Sequence, residues 1–580
     1  MQTTKLDPRV AGAFVRFAGG FWQGATAARA WALTLGLALF LTLSMAVTVG
    51  LNRWQRWFFD ALEKRDADTA VMAVFVFLAI IAAMAAIGVG IVLTREILQV
   101  RWRAFLVERL VGLWIGKHRF YHLAATHTEP DNPEYRISDD SRWATEPLTD
   151  LVIGAFSALI GAAAFISILW SVGGSFRLGG VTIPAYMVLL ALAYGAVASG
   201  LMLWIGRRLV DSVARKNASE GEFRFGLMRL RENAESVALI GGGPSEQKAL
   251  GALYGNVVTR WLEMVRQHGR ITWVTNASGP MIPIIPLLFA APKYFAGEFS
   301  LGEVVQLAAA FVQVQLAISW IVDNYNRLAE WFASARRVMD IVESCDGLDQ
   351  RFQQLGDGQI HIVKGREPLI RLDNVTVTDT KGHALVEAGS LSLPVGARVH
   401  VHGSTSAGKS SLVRALAVLW PWGRGRIQLP EGARLMVVPQ KPYLPTGTLR
   451  QALLYPGCEP AVDANAVNRA LASSGLAHLA ARLDQVERWD QVLGNGERQR
   501  LCVARVLVQR PEIIVLDDAL SALDETAQEG LEAMIARELP NATLISLGQR
   551  PRPIESGAMR YEIVKAGETG RVKAMQPVPT

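Results

Sequence analysis

The chain predicts two halves: an all-α membrane domain of six spans, then an α/β domain of the P-loop nucleotide-binding type. Three observations carry this expectation. Six apolar runs near bilayer length fall within residues 30–322. After residue 322 the composition changes, and from about residue 368 short β-rich runs alternate with helical stretches. At 403–411 the sequence GSTSAGKSS fits G-x-x-x-x-G-K-[ST], with strand-like ARVHVH before it and helical SLVRALAVLW after it.

Composition agrees with a membrane half. Of 580 residues, 51 % are hydrophobic and only 19 % charged, and mean hydropathy is +0.22. Disordered chains are poor in apolar residues and rich in charge, so disorder is excluded. Cys345, Cys458 and Cys502 lie far apart and form no CxxC pair, which excludes a disulfide scaffold. The net charge of +7 raises nucleic-acid binding. The positions of the positive residues give another reason for it, and no nucleic-acid partner is expected.

Residues 30–51 carry no charge, and a bilayer core of roughly 30 Å needs about 20 helical residues. The run is about twice the length of a signal-peptide core, and no small-residue cleavage site follows it. The remaining spans are expected at about 69–94, 151–172, 182–206, 271–292 and 304–322. A short Gly-rich segment with Arg177 separates the third from the fourth. The fifth carries Pro280, Pro283 and Pro286, which membrane helices tolerate because neighbours re-satisfy freed carbonyls. Buried helices of a large soluble protein are the competing reading, and six runs near bilayer length weigh against it.

Orientation follows from lysine and arginine. Residues 95–148 hold eight and residues 207–270 eleven, whereas 53–68 hold four and the other two connections one each, Arg177 and Lys293. Both termini and both long connections are therefore expected in the cytoplasm. The connections read as helices continuing out of the bilayer, around a turn-rich patch DNPEYRISDD (131–140) that either caps a helical elbow or is a solvated loop. His118 and His122 are four apart, but no third metal ligand stands nearby. The expected organisation is a cytoplasmic N-terminal segment (1–29), the permease domain (30–345), a polar linker (346–367) and the nucleotide domain (368–580).

In the P-loop, Gly403 and Gly408 let backbone N–H groups curl around phosphates, at a helix N-terminus that favours anions. Ser404, Thr405, Ser406, Ala407 and Ser411 complete the loop. Lys409 is expected to reach the β- and γ-phosphates of ATP, and the Ser410 hydroxyl to ligate Mg²⁺. About a hundred residues on, IIVLDD (513–518) reads as a buried strand delivering Asp517 to the Mg²⁺ shell and Asp518 to the attacking water.

The order GSTSAGKSS, VVPQKPYLPTGTLRQ (437–451) and LGNGERQRLCVARVLVQRPEIIVLDDALSALD (493–524) resembles an ABC transporter ATPase. Gln440 matches the Q-loop glutamine, which the resemblance also places on Mg²⁺. LGNGERQR, with Gly494, Asn495, Gly496 and Glu497, takes the place of the signature motif, and SALD (521–524) matches the D-loop. The membrane half resembles the SbmA/BacA-like permease-ATPases, relatives of the peroxisomal long-chain acyl-CoA transporters. WQRWFFDAL (54–62), DNPEYRISDD, EFRFGLMRLRENAESVAL (222–239) and the stretch 292–331 carry that likeness.

The resemblance implies an exporter-like fold and a homodimer in which ATP is sandwiched between the P-loop of one copy and the signature of the other. It also implies a hydrophobic or amphipathic cargo, such as a peptide or an acyl compound. Three positions depart from the family. Gly494 replaces the signature serine, Asp518 the glutamate that polarises water, and Gln549 the switch histidine. Aspartate is one methylene shorter, and misplacement by about 1 Å can cost about 10²-fold in rate. Residues 372–398 also lack an aromatic that would stack on adenine. Two functions follow as expectations. One is ATP-driven transport with slow hydrolysis; the other is a proton-coupled permease whose nucleotide domain only binds ATP and regulates.

Overall fold

A computed structural model describes residues 8–178, 181–404, 407–457, 463–549, 558–567 and 569–574. Its contacts divide the chain into a membrane unit, residues up to Gly116 together with Glu129–Cys345, and an ATPase unit, Lys117–Thr128 together with residues from Asp346 onward.

The membrane unit is built from long helices: apolar runs continue into charged extensions, and the third helix carries Pro147 within its first two turns without ending there. Ala27–Glu63, Ala67–Ile115 and Ser141–Gly173 are single helices of 37, 49 and 33 residues. Among the described residues five helical stretches are long and apolar enough to cross a membrane, and a shorter apolar one covers Tyr186–Met202. The fourth span, expected from residue 182, starts later. Ser175–Leu178 and Val181–Pro184 pair as an antiparallel hairpin, and the helix Tyr186–Glu232 begins beyond Pro184. The fifth span is broken: one helix ends at Ser278, and the next, Met281–Phe295, starts after Pro280. Proline has no N–H to continue the ladder. At the break the Tyr194 hydroxyl donates to the Ser278 carbonyl at 2.8 Å.

Polar contacts fix the packing of these helices. Ser300 and Glu303 form a reciprocal cap on Leu301–Asp323. The WQRWFFDAL stretch reaches the same point: Arg56 donates to Glu303 at 2.8 Å, and Asp60 accepts from the Gly302 N–H at 3.0 Å. The patch 131–140 is not a solvated loop. Pro133–Tyr135 and Arg136–Asp140 are helical and run into the third long helix. Asp140 is fully buried, and its carboxylate accepts two bonds from Arg337 at 2.6 and 2.7 Å. Arg136 donates to Asp340 at 2.7 Å.

The ATPase unit centres on a ten-stranded sheet. Five neighbouring strands run parallel in the order Met559–Ala566, Arg398–Gly403, Thr543–Gly548, Ile513–Asp517 and Leu435–Val438. Beside them lies a mostly antiparallel arm that includes Leu369–Thr378, Ala384–Pro394 and Gly423–Pro430. The stretch 346–367, expected as linker, holds the end of the helix Tyr325–Gln354 and the edge strand His361–Gly365, paired with Gly423–Pro430. A separate helical core gathers Leu449, Leu453, Leu471, Leu479, Trp489 and Leu501.

Lys117–Thr128 belongs to this unit although spans two and three flank it in sequence. Positive φ at Lys117 and His118 turns the chain into the short helix Arg119–Ala125. Asp349 accepts a bidentate pair from Arg119 at 3.1 and 2.7 Å and a third bond from Lys117 at 3.3 Å. His122 is buried, stands edge-on to Phe352 and Trp422, and bonds the Leu419 carbonyl through Nε2 at 2.9 Å. These ring contacts and the Leu419 bond make His122 part of the packing between this helix and the rest of the unit. A charge-assisted bond contributes about 1.5–3 kcal/mol. Asp349→Ala should therefore speed hydrogen exchange of the 119–125 amides about tenfold or more in the full-length protein. Rates equal to wild type would contradict this docking.

Candidate nucleotide site

The carboxyl ends of neighbouring parallel strands create the site, the usual crevice position in open α/β sheets. Arg398–Gly403 leads into the P-loop, Leu435–Val438 into Gln440, Ile513–Asp517 into Asp518, and Thr543–Gly548 into Gln549. Strand pairing thus brings together groups up to 146 positions apart in sequence (549 minus 403).

The P-loop turns at Gly408, where φ is +93°, and the helix Lys409–Leu416 starts immediately after it. A Cβ at Gly408 would lie 2.8 Å from Val386 Cβ and 3.0 Å from the Leu385 carbonyl, so neither conformation nor space admits a side chain. Gly403 closes its strand, Ser404 is exposed, Ala407 is buried, and Ser411 sits half-buried in the first helical turn. Thr405 and Ser406 lie outside the described residues.

Lys409 curls back over the loop and donates to the Gly403 and Ser404 carbonyls at 2.6 and 2.9 Å. Burial pushes its ammonium below the usual lysine range, while Asp518 and Asp517 pull the other way. Ser410 donates to Asp517 at 3.2 Å. Burial raises the Asp517 carboxyl above the usual aspartate range; the Ser410 bond opposes that rise, and the Asp518 charge adds to it. An oxygen-only pair of hydroxyl and carboxylate, next to a second carboxylate, suits a hard divalent cation that keeps several waters. The residues present therefore fit Mg²⁺ beside a phosphate chain.

Asp518 is the meeting point of the remaining groups. Its Oδ2 accepts from Gln440 at 3.3 Å and from Gln549 at 3.5 Å, and its N–H donates to the Leu547 carbonyl. Its φ is +51°, a left-handed conformation in which aspartate is among the better tolerated non-glycine residues. Backbone geometry thus gives a local reason for aspartate at this position.

Gly494, Asn495, Gly496 and Glu497 stand at the start of the helix Asn495–Gln509. Gly494 N–H donates to Glu497 at 3.0 Å, Glu497 also contacts His478 at 3.2 Å, and Asn495 accepts from Arg498. Among the described residues none of these bonds reaches 403–411, so a single chain does not bring the signature to its own P-loop. Two side chains on this helix escaped the sequence reading. Buried Gln499 accepts from the Ala522 N–H at 3.0 Å, tying the signature helix to the D-loop. Buried Arg505 donates to the Ala452 and Tyr443 carbonyls at 2.6 and 3.2 Å, tying it to the segment after Gln440. Their signal was present: Arg505 is the lone charge in the run LCVARVLV.

Comparison with known proteins agrees with this geometry. Residues 24–295 match the ABC transporter transmembrane region 2, and residues 386–521 match the ABC transporter model of the ATP-binding part. An ABC transporter ATP-binding protein of Synechocystis sp. is 30 % identical over 90 % of this chain and 79 % of its own length. The chain belongs to the ABC transporter family. It is a half-transporter, with one membrane domain fused to one ATP-binding domain. The inner membrane ABC transporter ATP-binding protein YddA of Escherichia coli is 26 % identical, over 89 % of this chain and 90 % of that one. The lysosomal cobalamin transporter ABCD4 of Homo sapiens is 27 % identical over 79 % of each. Among solved structures, a bacterial Atm1-family ABC exporter with ATP bound superposes with TM-score 0.68, at 19 % identity over 92 % of this chain and 94 % of that one. This last likeness is one of fold.

Lys409 carries the only ammonium among the site groups described above. Replacing it removes charge-assisted bonds of about 1.5–3 kcal/mol to phosphate, so Lys409→Ala should raise the ATP dissociation constant roughly 10- to 100-fold. Titration of fluorescent ATP analogue into the full-length protein checks this, and an unchanged constant would rule out the assigned role.

Proposed function

We propose that two copies of this half-transporter clasp MgATP between them, and that the clasp drives a hydrophobic or amphipathic solute across the membrane. The observation that carries the reading is the convergence of Lys409, Ser410, Asp517, Asp518, Gln440 and Gln549 on one sheet edge, with the signature of the same chain unconnected to it. The second copy supplies that signature. Gly494 and the N–H groups that follow it face the γ-phosphate of the opposite site in this arrangement, without the hydroxyl a serine would add.

Each chain residue has a defined task. Lys409 and the loop N–H groups hold the phosphate chain; Ser410, Gln440 and Asp517 hold Mg²⁺, whose chemistry is to neutralise charge on the β- and γ-phosphates. Asp518 orients the attacking water, and Gln549 holds Asp518 while donating no charge. Two copies in a C₂ dimer carry the same three replacements, so hydrolysis is slow at both sites. Asp518→Glu together with Gln549→His brings the base back by about 1 Å and should raise phosphate release between tenfold and 10²-fold.

Support for a partner also comes from the membrane unit. The helices Tyr186–Glu232 and Gly243–Ser278 are joined by a tip on which Leu239 and Ile240 are 80 and 81 % exposed. An apolar tip of this kind is covered in the dimer by the other copy. Lys117–Thr128 gives each chain a direct lever, because the ATPase unit includes a segment continuous with spans two and three. Both termini and the ATPase unit lie on the cytoplasmic side of a bacterial inner membrane, in keeping with the lysine and arginine asymmetry. One relative is named a lysosomal cobalamin transporter, and the cargo here is assigned only as a bulky, partly apolar molecule.

The second reading, a proton-coupled permease regulated by ATP, is favoured by Gly494, Asp518 and Gln549. Phosphate release by the purified protein in lipid, against a Lys409→Ala control, separates the two. Release above the control supports ATP-driven transport. Release at the control level, with uptake that collapses when the proton gradient is dissipated, leaves only the regulatory reading.

A further inference from the structure

Two arginines and two tryptophans converge on a groove of about 480 Å³ between the helices Tyr186–Glu232 and Gly243–Ser278. Trp204 and Arg208 stand one turn apart on the first helix; Gln267, Arg270 and Trp273 line it from the second, and aliphatic side chains such as Leu201 complete the wall. Arg208 follows the apolar run 182–206 by two residues, and Arg270 directly precedes the run 271–292. The groove therefore straddles the boundary at which both helices pass from apolar to charged sequence.

Its charge is unbalanced. Among the described residues no carboxylate lies within the 4.0 Å ion-pair distance of either guanidinium, and Arg270 donates only to Gln267, at 3.3 Å. Glu263, one turn from Gln267, is already held by Arg260 at 2.9 Å and Arg215 at 3.7 Å. Two like charges on a partly apolar wall repel, and an anion between them relieves that repulsion. Guanidinium groups match the oxygens of phosphate or carboxylate. Trp204 and Trp273 are 70 and 73 % exposed, and indoles favour the membrane–water interface. A molecule that is anionic at this depth and apolar just beyond it meets both halves of the groove.

We propose that this groove binds one anionic phospholipid of the ATPase-side leaflet per chain. Its phosphate lies between Arg208 and Arg270, and its first acyl carbons lie against Trp204, Trp273 and Leu201. Basic pockets between membrane helices take such head groups, with each arginine adding somewhat under a factor of ten in affinity. The site rests on the membrane boundary assigned above but not on nucleotide chemistry.

The test uses the full-length protein in phosphatidylcholine nanodiscs with a rising share of phosphatidylglycerol, counting retained lipid by native mass spectrometry without nucleotide. Wild type should retain one phosphatidylglycerol per chain with roughly 30-fold preference over phosphatidylcholine. R208Q/R270Q should bring that preference to near parity, and R224Q/R231Q, the same charge change farther along the same helix, should leave it intact. R208K/R270K, which keeps charge but loses the bidentate fork, should lower it severalfold and serves if the glutamine pair does not fold. The proposal is overturned by no preference in wild type, by an equal preference in R208Q/R270Q, or by an unchanged one in R208K/R270K. Displacement by millimolar inorganic phosphate alone would make the ligand a free anion, and displacement by equimolar dodecanoate would make it an acyl carboxylate; either also overturns it. A cysteine at exposed Asn217 should react with a charged maleimide from the ATPase side only. Failure there would overturn the boundary, while an inactive ATPase would leave the lipid result untouched.

Discussion

Ser410 can bond Asp517, within the electrostatic reach of Lys409, because Arg398–Gly403 and Ile513–Asp517 flank Thr543–Gly548 in parallel register and end at one edge. A phosphate chain carries several negative charges and is held by a protein only where N–H groups, an ammonium and a metal converge. Parallel pairing of buried strands supplies that convergence from distant sequence. Ile513, Ile514, Val515 and Leu516 are all almost fully buried, so a register slip would cost the core as well as the site. The chemistry and the hydrophobic core are in this sense one constraint.

Among the described residues the signature helix is bonded elsewhere in the same unit and not to that edge. Its first turn faces His478 and its own Glu497, while Gln499 and Arg505 fix its body to the D-loop and to the segment after Gln440. Movement of the nucleotide edge is thereby shared with the helical core around Trp489 and Leu501. The other mechanical link is Lys117–Thr128, where Asp349 and the aromatic ring around His122 hold a segment continuous with the membrane helices. The unit that carries the nucleotide residues therefore also includes a stretch of chain lying in sequence between two membrane helices.

Much of this was legible in the residues. Among the short β-rich runs expected from about residue 368, those at 369–378, 397–403, 434–440, 512–518 and 542–548 form strands within a residue or two of those bounds, because buried β-branched runs next to turn signals leave little choice. The strands His361–Gly365 and Gly423–Pro430 were not foreseen: HIVKG and GRGRIQLP are charged or glycine-rich and take their conformation from pairing with each other. The hairpin at 175–184 was not foreseen, because the Gly-rich segment with Arg177 marked only a boundary between spans, and hydropathy measures burial and not conformation. For the patch 131–140 the sequence left an elbow cap and a solvated loop both open, because its charges find partners, Arg337 and Asp340, some two hundred residues away. Local sequence cannot announce a long-range ion pair. The docking of 117–128 against residues after 345 was not foreseen for the same reason, since Asp349 and Leu419 lie beyond any local window.

The most direct test of the central claim joins the P-loop of one chain to the signature of another. With Cys345, Cys458 and Cys502 replaced by serine, Ser404→Cys and Asn495→Cys in the same full-length chain should form a disulfide-linked dimer in lipid when ATP and Mg²⁺ are present. Little of it should form without nucleotide or in the Lys409→Ala background. A cross-link that forms equally without ATP, or none under any condition, would contradict the account.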